Sequence, residues 1–287
     1  MSDDTPMTRT YKNIGIISSG SFGTVMKVRD SETGKEIALK REKDSHDVGL
    51  LQKEFGIYCS LGCQGNDPQE LKSMHFPTVY HCFQTPKGWC MTMQLLNKTI
   101  EDMSPLKVSQ ICEVAKHMIQ ALQKLHGIGF IHRDIKPSNI AYGKTRSTSA
   151  FYLFDFGLAT AYTTLRQSKH IPYKTHAGFV GTHRYCSIHA DFQESLSRRD
   201  DLESLFYTLL ASHLCVLPWT NVTGKAKTSS HILLMKLTPL QYLLKNVDSR
   251  LVQPLALFYM YIRSLAFDEE PNYIYLISLF VSRTKAH

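Results

Sequence analysis

The stretch that decides the reading is His132-Arg-Asp134-Ile-Lys136-Pro-Ser-Asn139. One short loop presents a carboxylate, an ammonium and an amide. A carboxylate can orient a hydroxyl and accept its proton. A Lys two residues on can neutralise a phosphoryl group in transfer, and an Asn five residues on can ligate Mg²⁺ through its carbonyl oxygen. A chance match at every fixed position is very improbable.

Working outward, Asp155-Phe-Gly157 lies sixteen residues after Asn139, straight after the apolar strand Phe151-Tyr-Leu-Phe154. It places a second hard oxygen ligand for Mg²⁺. Upstream, Ile37-Ala-Leu-Lys40 reads as a strand, with Glu54 on the next helix. A strand Lys can hold phosphate oxygens, with an opposed carboxylate fixing its position. Taken alone, the pair reads more readily as a surface Lys and a surface Glu that form nothing. Ser18-Ser-Gly20-Ser-Phe-Gly23-Thr-Val25 is a glycine-bearing turn between two strands. Its glycines would let backbone amides approach phosphate oxygens. Hairpins often carry glycines, so this piece is weak by itself.

The first third reads as strands: Asn13 to Ile17, Thr24 to Arg29, Glu36 to Lys40, Thr78 to Phe83 and Trp89 to Leu95. A helical segment spans Leu50 to Leu61, and Gly62 to Met74 reads as an exposed polar loop. From about residue 105 the period changes. Val108, Ile111, Ala115, Met118, Ile119, Leu122 and Leu125 recur at three- and four-residue steps, the stripe of an amphipathic helix packed on a core. Further helices are expected near Asp200 to Leu214 and Gln253 to Leu265, and the apolar run Leu255 to Phe267, broken by Arg263, reads as a buried helix. A strand-rich part followed by a helix-rich part is α+β in arrangement.

Composition bounds the class. The 287 residues, 43% hydrophobic and 20% charged, fit one large domain or two packed lobes without disulfide or metal staples. Net charge is +8, from 33 Lys and Arg against 25 Asp and Glu. That is either an ordinary basic surface or a preference for anions. The seven Cys are unpatterned, with no Cys-x-x-Cys pair, which suits a reducing cytosol or nucleus. The N-terminus lacks the basic and apolar regions of a secretory signal, and no run approaches the ~18 apolar residues of a membrane span.

Together and in this order the motifs resemble the protein-kinase signature set, from Tyr11 to Phe280. The resemblance implies a bilobal protein-kinase fold, α+β, with a small β-rich N-lobe (about 11–95) and a larger helical C-lobe (about 96–287), after a short polar extension over 1–10. It implies ATP and Mg²⁺ as cofactors. Lys40 would pair with ATP phosphates and Glu54, Asp134 would be the catalytic base, and Asn139 and Asp155 would hold metal. Gly20 and Gly23 would cover the phosphates, while Ile17, Val25, Ala38, Leu96 and Ala141 would line the nucleotide pocket, with Met93 in the gatekeeper place. Lys136 is the form found in Ser/Thr kinases. Thr182 resembles the hydroxyl that bridges catalytic Asp and Lys, and Asp201 the buried Asp that braces the catalytic loop.

The usual Ala-Pro-Glu is absent. Gly181-Thr-His-Arg-Tyr-Cys-Ser-Ile-His189, Ser197-Arg-Arg-Asp-Asp-Leu-Glu-Ser-Leu205 and Leu217-Pro-Trp219 instead resemble the casein kinase 1 superfamily. Lys136-Pro-Ser-Asn-Ile-Ala-Tyr-Gly143, Ala177-Gly-Phe179 and Ser204-Leu-Phe-Tyr207 lean to its tau-tubulin kinase branch. Two departures stand out. Ser18 replaces the first glycine of the phosphate loop. Of the basic pocket that reads a priming phosphate, Arg184 matches, but Ala177, Asn221 and Ser230 stand at the other contacts, with Lys225 and Lys227 as partial substitutes. Weakened priming is therefore expected. Thr163, Thr164, Ser168 and Thr175 in the activation segment have no obvious switch context, and the resemblance implies basal activity without phosphorylation there. The expectation is a monomer in the cytoplasm or nucleus, acting on protein substrates of acidic or primed sequence. Nucleic acid as a partner rests only on charge. A catalytically dead scaffold is the alternative, and the presence of Lys40, Glu54, Asp134, Lys136, Asn139 and Asp155 weighs against it.

Overall fold

The computed structural model describes residues 10–20, 23–43, 49–65, 75–144, 149–164, 169–220 and 229–281. It divides into two compact units, one ending at Leu96 and one running on from Asn97, with His75 and Phe76 counted in the second.

The first unit is a five-stranded antiparallel sheet in the order β1-β2-β3-β5-β4, with one helix. Its strands are β1 (Tyr11–Gly20), β2 (Gly23–Asp30), β3 (Glu36–Arg41), β4 (Val79–Thr85) and β5 (Gly88–Met93), and its helix is α1 (Leu50–Ser60). β3 lies between β2 and β5, so Ile37, Ala38 and Leu39 are buried in succession instead of alternating. A strand covered on both faces loses the period-two pattern of a half-exposed one. Val28, Ile37, Leu39, Tyr80 and Cys90 form a small core, with Tyr11, Met26 and Phe83 packed against it. Of the exposed loop expected over 62–74, Gly62 and Gln64 are exposed as expected, but Cys63 departs from it. Cys63 is fully buried, and its backbone exchanges with β4 through the Val79 N–H to Cys63 carbonyl bond of 2.9 Å. The small thiol side chain packs like an apolar one there.

The second unit contains α2 (Ile100–Met103), α3 (Val108–Gly127), α4 (Ile188–Asp191), α5 (Arg198–Leu214), α6 (Ser229–Lys236), α7 (Leu240–Leu243), α8 (Ser249–Ser264) and α9 (Tyr273–Ser278). Two small antiparallel ribbons pair β6 (Phe130–Ile131) with β9 (Thr160–Ala161), and β7 (Ile140–Lys144) with β8 (Ser149–Leu153). Every member of the α3 stripe predicted from periodicity is buried, and α3 packs on α5, α9 and β8. Each fully buried Leu or Ile contributes about 1.5–3 kcal/mol before entropy is charged against it. α5 is buried almost all round, from Asp200 to Ser212. α8 corrects the buried-helix expectation: Leu255, Phe258 and Ile262 face the core, but Met260 is 63% exposed. Among the described residues no helix is long and apolar enough to cross a membrane.

Candidate active site

In the first unit, the β1–β2 hairpin pairs Gly20 with Gly23, while Ser21 and Phe22 between them lie outside the described residues. The two glycines differ. A Cβ on Gly20 would meet nothing within 4 Å, leaving its backbone open to a ligand. Gly23 has φ +144°, and a Cβ there would lie 2.1 Å from the Arg41 carbonyl oxygen. Gly23 is thus required by the close approach of β3, a reason the phosphate-loop reading did not foresee. Ile17 is half exposed on β1.

Val25 pairs across the ladder with Lys40, and Ala38 pairs with Met93. Directly paired residues share a sheet face, as do residues two apart, so these four side chains emerge together. The Lys40 Nζ donates to Glu54 Oε2 of α1 at 2.6 Å, with both side chains largely buried. A charged pair so far out of water keeps its lysine tip fixed. Ala38 and Met93 are buried and Leu96 is half-buried.

In the second unit the loop after β6 turns sharply. Arg133 has φ 67°, and a 3₁₀ turn (Pro137–Asn139) leads into β7. Asp134 is the hub. Its Oδ1 accepts from the Thr182 hydroxyl at 2.7 Å, and its Oδ2 from Lys136 Nζ at 2.6 Å. Lys136 also reaches Thr182 Oγ1 at 3.3 Å, which closes a three-residue ring. Asn139 donates its amide nitrogen to the Asp134 main-chain oxygen at 3.0 Å and to Oδ2 at 3.3 Å. A carboxylate with this many donors is oriented before any substrate arrives.

The loop is braced from behind by Asp201 of α5. Its carboxylate accepts the backbone N–H groups of His132 at 2.7 Å and Arg133 at 2.8 Å, and His126 Nε2 at 2.9 Å. Burial alone would raise its pKa. The donors, His126 foremost, outweigh that and hold Asp201 below the usual carboxylate range. His132 runs the other way, with burial depressing its pKa despite nearby carboxylates. Neutral His132 accepts from the Asp134 N–H through Nδ1 at 3.3 Å and donates Nε2–H to the Phe154 carbonyl at 3.3 Å.

Ile140 pairs with Leu153 in the β7–β8 ribbon, and the Phe154 N–H bonds the Asn139 carbonyl at 3.1 Å. That register sets Asn139 and Asp155 at the same end of one ribbon. Asp155 is half-buried with φ 70°, and the following Phe156 is buried against Phe76 and His132. Ala141 is buried in β7. With its nitrogen committed to Asp134, Asn139 offers its carbonyl oxygen, and Asp155 a carboxylate. Two hard oxygen donors fit Mg²⁺ and not a soft metal.

The basic pocket is less complete. Arg184 is exposed, its guanidinium 5.9 Å from the Tyr185 ring, while its carbonyl accepts from Trp219 Nε1 at 2.9 Å. Lys225, Lys227 and Asn221 lie outside the described residues, as does Ser168. Sequence reasoning missed a second set of anchors. Lys236 is fully buried and bonds Asp191 Oδ2 at 2.6 Å, with the carbonyls of His183 and Cys186 each at 2.8 Å. Glu203 accepts the Ile188 N–H at 3.1 Å and pairs with Arg263 at 3.3 Å. No local pattern announces either, because these partners lie from 15 to 60 residues away along the chain. The one signal was Arg263, which interrupts an apolar run.

A family model described as the protein kinase domain matches residues 11–238. The match begins with β1, takes in the candidate residues of each unit and ends just past α6. It spans most of the chain, and this protein therefore belongs to the protein kinase domain family.

Proposed function

We propose that this chain is an active Ser/Thr kinase that moves the γ-phosphoryl group of ATP to hydroxyls of protein substrates. The observation that carries this is the ring of Asp134, Lys136 and Thr182, with Asn139 locked beneath it. In phosphoryl transfer the protein supplies positioning and charge neutralisation more than covalent chemistry. Asp134 would accept the hydrogen bond of the incoming hydroxyl and take up its proton as the new P–O bond forms. Lys136 would neutralise charge on the phosphoryl oxygens. Lys40, fixed by Glu54, would hold ATP phosphate oxygens. Asn139 and Asp155 would hold Mg²⁺, which when bound neutralises charge on the phosphates.

The Ser/Thr assignment follows from Lys136. Membership of the casein kinase 1 superfamily, leaning to its tau-tubulin kinase branch, is proposed from Gly181 to His189, Ser197 to Leu205 and Leu217 to Trp219. Basal activity without activation-segment phosphorylation is proposed too. Two contacts support this reading: the Arg133 guanidinium donates to the Leu158 carbonyl at 2.8 Å, and the Thr182 hydroxyl donates to Asp134 at 2.7 Å, both without a phosphate. Reduced dependence on a priming phosphate is proposed because Ala177, Asn221 and Ser230 stand where the basic pocket has its other contacts, leaving Arg184 as its one match. The kinase would work as a monomer in the cytoplasm or nucleus.

The test is Mg²⁺-dependent transfer from labelled ATP to casein and to matched acidic and phospho-primed peptides, beside Asp134→Asn. Wild type should transfer to Ser and Thr without pretreatment, and the variant should lose roughly 10²–10⁴-fold in turnover. ATP binding without transfer would instead identify a scaffold.

A further inference from the structure

We propose that His183, Cys186 and Asp191 form a binding site for a thiophilic divalent cation, with Zn²⁺ the ion their donor set fits. The three lie within nine residues, just after Thr182 and through α4. Asp191 Oδ1 is 3.0 Å from His183 Nδ1 and 3.3 Å from Cys186 Sγ, and all three ligand atoms lie within 4.8 Å of one another. Tetrahedral Zn²⁺, with bonds of about 2.0–2.2 Å to N and O and about 2.3 Å to S, sets neighbouring ligand atoms roughly 3.3–3.6 Å apart. The nitrogen–oxygen and sulfur–oxygen spacings are therefore already close to those of a loaded site.

The surroundings hold these donors in place. The Phe179 ring stacks on His183 at 3.6 Å and 11°. The N–H groups of Tyr185 and Cys186 both bond the Thr182 carbonyl, which fixes the turn that carries the thiol. Lys236 engages the other carboxylate oxygen, Asp191 Oδ2, at 2.6 Å, and its Nζ lies 3.3 Å from Cys186 Sγ. That ammonium is anchored over the rings of Tyr207 and Trp219. It plays two parts. It turns Oδ1 toward His183 and Cys186, and its positive charge offsets part of the burial that pushes the Cys186 thiol up to about 12.

The plain alternative is that Lys236 is the only cation this carboxylate takes. Two features point beyond it. Lys236 occupies Oδ2, whereas His183 and Cys186 converge on Oδ1. The His183 side chain is 42% exposed, which gives an ion a route to Oδ1 that the buried lysine does not block. Both hydrogens aimed at Oδ1, on Nδ1 and on Sγ, would be replaced by the ion. A neutral imidazole shifts its hydrogen to Nε2 and the thiol releases one proton, so one proton leaves per ion bound. Water completes the coordination from the open side.

Chelator-treated full chain titrated with Co²⁺ or Cd²⁺ tests this through thiolate-to-metal charge-transfer absorbance, which needs no phosphoryl transfer and so stands apart from the kinase assay. Wild type should saturate at one equivalent. Cys186→Ala should lose the band, His183→Ala should weaken binding at least about tenfold, and Cys215→Ala, at the exposed thiol, should bind as wild type does. A band that survives in Cys186→Ala, or that vanishes in Cys215→Ala, would place the ion elsewhere and overturn the proposal. So would a folded wild type, verified by circular dichroism, that shows no band. If Cys186→Ala fails to fold, His183→Ala decides between the same two results.

Discussion

Thr182→Val removes one hydroxyl and keeps the side-chain volume, so it isolates the bond that orients Asp134. The hydroxyl donates to Asp134 Oδ1 at 2.7 Å and accepts from Lys136 Nζ at 3.3 Å. In the variant Asp134 keeps Lys136 and Asn139 but loses the donor on Oδ1, and its carboxylate is free to rotate. A hydrogen bond to a charged group contributes about 1.5–3 kcal/mol. At about 1.4 kcal/mol per factor of ten, losing it in the transition state should cost roughly 10- to 150-fold in turnover. Initial rates against ATP and against peptide give kcat and KM separately. The loss should fall on kcat, with KM for ATP little changed, because Thr182 would position the proposed base and is not proposed to contact nucleotide. Thr182→Ser restores the hydroxyl and should recover most of the rate. A valine variant as fast as wild type, or a serine variant as slow as valine, refutes the assignment. Circular dichroism melts of all three proteins show whether a slow variant is merely unfolded.

Gly23→Ala should cost at least about 2 kcal/mol in urea unfolding, since both backbone strain and a contact with the Arg41 carbonyl oppose it. Gly20→Ala, which meets open space, should be near neutral, and equal costs at the two positions would refute the contrast. Asp200 and Asp201 are neighbours with opposite pH behaviour. Burial lifts Asp200 from 3.8 to about 6 despite bonds from Ser187 and Ser197. A raised folded-state pKa means that its contribution is fully present below pH 3.8 and is lost as pH rises through about 6. The span corresponds to about 3 kcal/mol. Asp200→Asn measured against wild type from pH 4 to 7.5 should show wild type losing ground as pH rises, and a flat difference would contradict this. Asp201, depressed by its donors, contributes above its unfolded pKa and loses that only as pH falls through its lower folded value. Asp201→Asn should therefore show a difference from wild type that is largest at neutral pH, and one that grew toward acid would be the refuting result.

Local pattern carried a large part of the structure. The α3 stripe needs only a period of 3.6, and the burial of its seven named residues follows from one helix face meeting one core. The catalytic loop was legible because Asp134, Lys136 and Asn139 lie within six residues and bond one another directly. Thr182 was legible only through resemblance, since 48 residues separate it from Asp134. Legibility failed where burial depends on partners far along the chain. Cys63 reads as part of a polar loop but is covered through its pairing with Val79. Nothing in the sequence singles out Lys236, yet it is fully buried, and a carboxylate, two carbonyls and two aromatic rings converge on it. Gly23 was noticed for phosphate access alone, and the sequence did not reveal that the close approach of the Arg41 carbonyl asks for the same residue.

The missing Ala-Pro-Glu raises the question of what holds the end of the activation segment. α5 and α6 supply the answer from the opposite direction. Glu203 accepts the Ile188 N–H and is itself held by Tyr207 at 2.8 Å and by Arg263. Asp200 accepts the Ser187 hydroxyl at 2.6 Å, and Lys236 gathers the carbonyls of His183 and Cys186. Residues 183–188 are therefore fixed by three charged side chains that the segment does not contain. Breaking one partner of such a buried set leaves an uncompensated charge, at a cost of about 3–5 kcal/mol, so the set resists piecemeal loss. The same α5 that grips this segment through Asp200 and Glu203 grips the catalytic loop through Asp201. Thr182 on one side and Asp134 on the other are thus referred to a single buried helix. Their 2.7 Å bond then follows from two independent anchorages to one buried helix.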